Sequence, residues 1–377
     1  MSKVEISAGK LRRITKLADT KGRFKMMAID QRGSMQKALA EALNVSSDNV
    51  RYEQVAEIKT LITRVLAPYA TAVLTDPIFG YPYSIMELPR DIATLLAVEK
   101  SGYVDDGIGE NERASTPIDG WTVEKALRSG ADAIKLLVYY HPDASPEACA
   151  HQQDYVRQVG EACEAQDAPF LLEPVSYALD GGSTNRLEFA RQKPDLVIRS
   201  VEEFTQPEYK VDILKLEFPA NLKFCSAYSD RDFYAGESSY DLDQVKDFCR
   251  RLDVVSTLPW VILSAGVDIE EFIEDVKLAT EAGASGFLCG RAIWKEAVPL
   301  YPDIDAVTEF LTGEAAENFE NSNAAVQSAL PWFDHKKFGG LQQVKLSQQG
   351  ESWHADYNKL KAGKSTENRS GFLDLPI

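Results

Sequence analysis

A single (β/α)8 barrel with a C-terminal extension is the fold this sequence predicts. Three observations carry the prediction: eight short, nearly continuous apolar runs, helical patterns in most of the intervals, and no dinucleotide-type glycine motif after the first run. Apolar runs without polar alternation belong to strands buried on both faces, as in parallel sheets. Strand alternating with helix gives βαβ units, and eight of them over about 270 residues match the usual size of such a barrel. A doubly wound open sheet is the alternative, but GIGENE (107–112), which begins like its glycine motif, sits in a polar loop and lacks the final glycine.

In chain order the runs are FKMMAID (24–30), TAVLTDP (71–77), ATLLAVE (93–99), ADAIKLLVYY (131–140), APFLLEP (168–174), VDILKLEFP (211–219), LPWVILSAG (258–266) and GASGFLCGR (283–291). VEKALRSGA precedes the fourth run and IEEFIEDVKLATEAGA the eighth, each with helical spacing of its apolar residues. A polar, glycine-containing loop (103–120) follows the third. Residues 1–312 are read as the barrel, and 313–377 as an extension packed on it rather than a second domain. Its final stretch, KAGKSTENRSG, is expected to be mobile.

Bulk properties exclude several function classes. A net charge of −17 repels nucleic acid and anionic membrane over the average surface, so an anionic substrate needs a local basic site. No apolar run approaches the roughly 20 residues of a membrane span, and the polar N-terminus carries no secretory signal pattern. Five scattered cysteines without a CxxC pair read as reduced thiols of a cytoplasmic protein. Four histidines show no metal-ligand spacing, and there is neither a P-loop nor a Ser–His–Asp pattern.

The chemistry is signalled by charged residues inside apolar runs. Lys135, Glu173 and Lys215 fall on the fourth, fifth and sixth candidate strands, where side chains at the C-terminal ends converge on the active face of a barrel. A buried lysine is costly unless paired or neutralised. Burial and a neighbouring cation both favour the neutral amine, the form that attacks a carbonyl. Two lysines and one carboxylate are therefore a set suited to Schiff-base aldol chemistry, and a buried ion pair that merely fills the barrel is the structural alternative.

Ser264 and Gly266 in LSAG, with Gly290 and Arg291 in CGRA, end the seventh and eighth strands. The loops after these strands commonly bind phosphate in this fold. Asp30 and Gln31 in IDQRG end the first strand, suitably for substrate hydroxyls. Arg32 is open between a distal anion and a surface ion pair. Asp76, followed by Pro77, is open between a turn role and substrate contact. His141 is read as a loop residue.

IDQRG, LTDPIFGYP, VEKSGY, GADAIKLLVYY, PFLLEPVSY, DILKLEFP, LSAGV and CGRAIW occur in this order. Together they resemble the class I tagatose 1,6-bisphosphate aldolases, a family that also contains the aldolase for 6-deoxy-6-sulfofructose 1-phosphate. The resemblance spans about residues 24–294. It implies a TIM barrel with Lys215 as the Schiff-base lysine, Glu173 as the catalytic carboxylate and Lys135 as the assisting lysine. Asp30 and Gln31 would bind substrate, and Ser264, Gly290 and Arg291 its phosphate. It also implies a small-molecule ketose phosphate as partner and no metal or organic cofactor; a homo-oligomer is compatible with it. A sulfofructose phosphate substrate, or a non-catalytic sugar-phosphate sensor on the same scaffold, are the alternatives. Two features depart from the pattern: Pro174 directly after Glu173, and long segments at 103–120 and 313–332.

Overall fold

The structure, a computed structural model, describes residues 3–104, 109–347 and 349–357. Its strands are β1 (Val4–Ile6), β2 (Phe24–Ile29), β3 (Ala72–Thr75), β4 (Ala93–Ala97), β5 (Ala133–Tyr139), β6 (Phe170–Val175), β7 (Ile213–Leu216), β8 (Trp260–Ile262), β9 (Gly286–Cys289) and β10 (Val344–Leu346). Strands β2 to β9 are parallel and form a closed barrel, with β2 hydrogen-bonded to both β3 and β9. Seven lie inside the apolar runs that predicted them, and β6 extends one residue past its run, to Val175. Helices Val123–Arg128 and Ile269–Ala282 occupy the two helical patterns singled out above.

Alternate strand residues divide the core. Phe24, Met26, Ala28, Leu74, Leu95, Ala133, Leu171, Ile213, Val261 and Leu288 form one cluster. Met27, Val73, Leu96, Ile134, Leu172, Leu214, Ile262 and Phe287 pack in another with the surrounding helices. This two-residue period is that of the pleat, hidden in the sequence because both faces are apolar.

Unforeseen from the sequence, β1 pairs in parallel with β10, from Val4↔Val344 to Ile6↔Leu346. Helices Ile304–Phe310 and Ala316–Ala325, joined by a π turn at Leu311–Ala315, run without interruption past residue 313. Beyond them Trp332 and Phe338 join the inner cluster beside Ile14 and Leu17. The predicted mobile stretch KAGKSTENRSG lies outside the described residues. Among the described residues no helix is long and apolar enough to cross a membrane.

His335 ties this segment to the barrel, with Nε2 2.8 Å from Ser285 Oγ. Burial, with Lys336 adding to it, pushes the imidazole down to about 3 from 6.5. The folded protein thus holds a neutral ring that the unfolded chain protonates below about 6.5. The resulting stability is present above that value and is lost as pH falls from about 6.5 toward about 3. His335→Gln should flatten the pH dependence of the urea midpoint across that window, where one proton costs about 1.4 kcal/mol per pH unit. An unchanged slope would contradict this assignment.

Candidate active site

The strand alternation that lines the barrel with apolar side chains also delivers the charged ones. Continuing the inner positions 24, 26 and 28 of β2 reaches Asp30, and continuing 93 and 95 of β4 reaches Glu99. Position 133 of β5 leads to Lys135, 171 of β6 to Glu173 and 213 of β7 to Lys215. All five are buried at the C-terminal end of the barrel, where the walls give way to polar side chains.

Lys135, 1% exposed, is the hub. Its Nζ lies 2.7 Å from Glu99 Oε1, 2.9 Å from Asp30 Oδ2 and 3.0 Å from Glu173 Oε2. Burial opposes its charge, but Asp30, Glu173 and Glu99 outweigh burial and hold the ammonium well above its ordinary pKa. Burial likewise opposes ionisation of Asp30, yet Lys135, Lys215 and Arg32 keep its carboxyl well below the usual range. Lys215 Nζ lies 2.9 Å from Glu173 Oε1. Each Glu173 oxygen therefore faces a different lysine. The Oε2 contact lacks hydrogen-bond geometry, so that oxygen is bound only by ion pairing.

Two adjoining recesses of about 210 and 520 Å³ open over these residues and share Leu137, Tyr139, Glu173 and Arg291. Asp30, Gln31, Lys135 and Lys215 line the smaller one, and Gly266 lines the larger. At Gly266 the backbone is left-handed (φ +82), and an added Cβ would stand 3.1 Å from the Arg291 guanidinium carbon. Gly266 thus leaves room for Arg291, which among the described residues has no carboxylate within ion-pair distance. Ser264 and Gly290 are buried and do not line either recess. The Ser264 hydroxyl reaches the Cys289 thiol, whose pKa burial pushes up to about 12. A Cβ on Gly290 would meet the Ala28 carbonyl oxygen at 2.5 Å, so glycine there permits close packing on β2.

Other positions resolve differently. Arg32 is 6% exposed, with Nη2 3.7 Å from Glu99 Oε1, so it is not a surface ion pair; its Nε and Nη1 have no hydrogen-bond partner. Asp76 is fully buried against Lys59 and accepts hydrogen bonds from the backbone N–H of Ile78 and Phe79 at 2.9 and 2.8 Å, a turn role. His141 is buried in its loop, its Nδ1 accepting from Asp143 N at 3.1 Å. Glu99 escaped sequence reasoning although its parity with Ala93, Leu95 and Ala97 was available. Among the described residues no three His, Cys, Asp or Glu side chains are grouped to hold a metal ion.

A larger cavity of about 750 Å³ lies away from the mouth, against β1. Its Lys10 and Lys337 both pair with Asp212 at 2.9 Å, so its central charges already satisfy one another. The mouth, by contrast, offers a lysine amine beside a carboxylate that a second, cationic lysine also faces. Such an arrangement can attack a carbonyl and shuttle the protons that follow.

Comparison with known proteins agrees. Residues 24–296 match the model of the DeoC/LacD family aldolase. The tagatose 1,6-diphosphate aldolase of Lactococcus lactis subsp. lactis is 33% identical over 330 residues, covering 86% of this chain and 98% of that protein. Tagatose 1,6-diphosphate aldolase 2 of Enterococcus faecalis is 34% identical over 332 residues, covering 87% and 96%. Among solved structures, fructose-bisphosphate aldolase from Plasmodium falciparum superposes with a TM-score of 0.63 at 12% identity over 87% of this chain and 98% of that one, a likeness of fold alone. With most of its length matched by the family model and by relatives above 30% identity, the chain belongs to the DeoC/LacD family of aldolases.

Proposed function

We propose that the chain cleaves tagatose 1,6-bisphosphate to dihydroxyacetone phosphate and glyceraldehyde 3-phosphate through a Schiff base on Lys215. The observation that carries this reading is the Glu173 carboxylate held between Lys215 at 2.9 Å and Lys135 at 3.0 Å in the barrel mouth. The names of the relatives support the substrate, and the five free thiols support a reducing, cytoplasmic setting.

In this scheme the neutral Lys215 amine adds to the C2 ketone, and loss of water leaves an iminium. Glu173 accepts the C4 hydroxyl proton as the C3–C4 bond breaks. The bonding pair moves to C3 and into the iminium, giving an enamine, and glyceraldehyde 3-phosphate departs. Protonation at C3 and hydrolysis then release dihydroxyacetone phosphate and restore Lys215. Lys135, kept cationic by its three carboxylates, supplies positive charge beside the alkoxide that forms at C4. Asp30 fixes Lys135, and Gln31 lies within reach of substrate hydroxyls in the smaller recess. Arg291, Gly266 and the backbone around Ser264 and Gly290 receive the C1 phosphate. The scheme uses no metal or organic cofactor.

The test is release of dihydroxyacetone phosphate from a panel containing tagatose 1,6-bisphosphate, its fructose epimer and 6-deoxy-6-sulfofructose 1-phosphate. Fastest cleavage of the tagatose compound is expected, and no release from any member would reject the reading. Arg291→Ala should raise KM for the bisphosphate roughly 10- to 150-fold, the effect of a charge-assisted hydrogen bond of about 1.5–3 kcal/mol. Unchanged kinetics in a folded variant would remove Arg291 from the site.

A further inference from the structure

The mouth contains a second unpaired arginine that the scheme above leaves unused. Arg113 comes from the long loop after β4 and lines the larger recess together with Tyr139 and Glu173. Its guanidinium carbon lies 4.4 Å from the ring centroid of Tyr103, 5.2 Å from that of Tyr177 and 5.5 Å from that of Tyr139. Among the described residues it has no carboxylate within ion-pair distance. An arginine stacked on aromatic faces is oriented without being neutralised, and its fork stays free for an oxyanion.

The backbone that carries it is fixed. Val104 and Ala114 exchange two hydrogen bonds of 2.9 Å. The Arg113 carbonyl accepts from Gln152 Nε2 at 2.9 Å, and Ser115 Oγ accepts from the Tyr139 N–H at 3.2 Å. Glu112 caps the loop by accepting from the Ser145 N–H and hydroxyl. The guanidinium is thus presented from a tethered segment.

Position around the barrel indicates what it would hold. In the proposed scheme the C1 phosphate lies beyond β8 and β9, C2 at Lys215 on β7, and the C4 hydroxyl at Glu173 on β6. Each step along the ketose moves one strand further round in the same sense. The next strand is β5, whose Tyr139 lies under Arg113. Resting on the aldolase reading, we infer that Arg113, cradled by Tyr103, Tyr139 and Tyr177, binds the C6 phosphate and sets the preference for a bisphosphate. Arg32 is the rival cation. It emerges from β2, next to β9 and so on the C1 side, and its guanidinium already lies 3.7 Å from Glu99.

The test compares a ketohexose 1,6-bisphosphate with the same ketohexose 1-phosphate as substrates for wild type, Arg113→Gln and Arg113→Lys. The glutamine variant keeps a stem over the rings, and the lysine variant keeps the charge but not the planar fork. Arg113→Gln should lower kcat/KM for the bisphosphate roughly 10- to 150-fold and for the 1-phosphate far less, so that the preference collapses. Arg113→Lys should recover part of it. Equal losses on both substrates, no loss on either, or a collapse of preference in Arg32→Gln instead would overturn the assignment. Wild type that cleaves neither substrate would reject the aldolase reading itself, a result distinct from a wild type that cleaves both while Arg113→Gln keeps its preference.

Discussion

Glu173→Gln should lose turnover by about 10²–10⁴-fold, the usual worth of a positioned general base, in a protein that still folds. The amide keeps the volume, and its oxygen can still accept from one of the lysines, but it cannot accept the C4 hydroxyl proton. Lys215 remains, so the variant should still form the iminium, more slowly, and stall before C3–C4 cleavage. If Glu173 only balanced the two ammonium groups that face its oxygens at 2.9 and 3.0 Å, the substitution would bring buried cations together and chiefly lower stability. Turnover, borohydride trapping and a denaturation curve on one sample separate the two roles. Near-normal cleavage by a stable variant would contradict proton transfer by Glu173, and a variant that cannot fold would favour charge balance.

The second large effect is on stability. Lys59 and Asp76 are both fully buried and paired with each other. Breaking such a pair leaves an uncompensated charge and costs about 3–5 kcal/mol. Asp76→Ala also removes the acceptor of the Ile78 and Phe79 N–H groups, so its urea midpoint should fall at least that far. Asp76→Asn, which can still accept from those N–H groups, should recover part of the loss. The Lys59 ammonium also donates to the Ile29 carbonyl at 2.8 Å, one residue before Asp30. The pair therefore braces the end of β2 that carries Asp30 and Gln31, and activity should fall with it. A midpoint shift worth less than about 1 kcal/mol for Asp76→Ala would place most of the stability elsewhere.

The eight barrel strands were legible because parallel strands with both faces covered leave unbroken apolar runs. Lys135, Glu173 and Lys215 stood out because a charge inside such a run demands an explanation. Glu99 did not stand out, since it closes its run where a polar residue is ordinary; only its two-residue phase with Ala93, Leu95 and Ala97 marks it as inward-facing. Lys59 was hidden for a related reason. In the helix Tyr52–Leu66 it occupies the buried face with Val55, Ile58 and Ile62, but lysines are common on helices and its partner Asp76 lies on the next strand's end. The union of β1 with β10 joins segments more than three hundred residues apart, and three-residue strands carry no usable periodicity. Arg113 gave no signal at all, because its surroundings are assembled from Tyr103, Tyr139 and Tyr177 on three separate segments.

The central claim is that the reaction proceeds through a covalent iminium on Lys215. It is tested most directly by adding borohydride during turnover of tagatose 1,6-bisphosphate and mapping the modified peptide by mass spectrometry. The account predicts the mass of reduced dihydroxyacetone phosphate on Lys215, and none when Lys215→Met is treated in the same way. Modification of Lys135 instead would exchange the roles of the two lysines. Turnover without any trapped lysine, abolished by EDTA, would contradict Schiff-base chemistry in this protein.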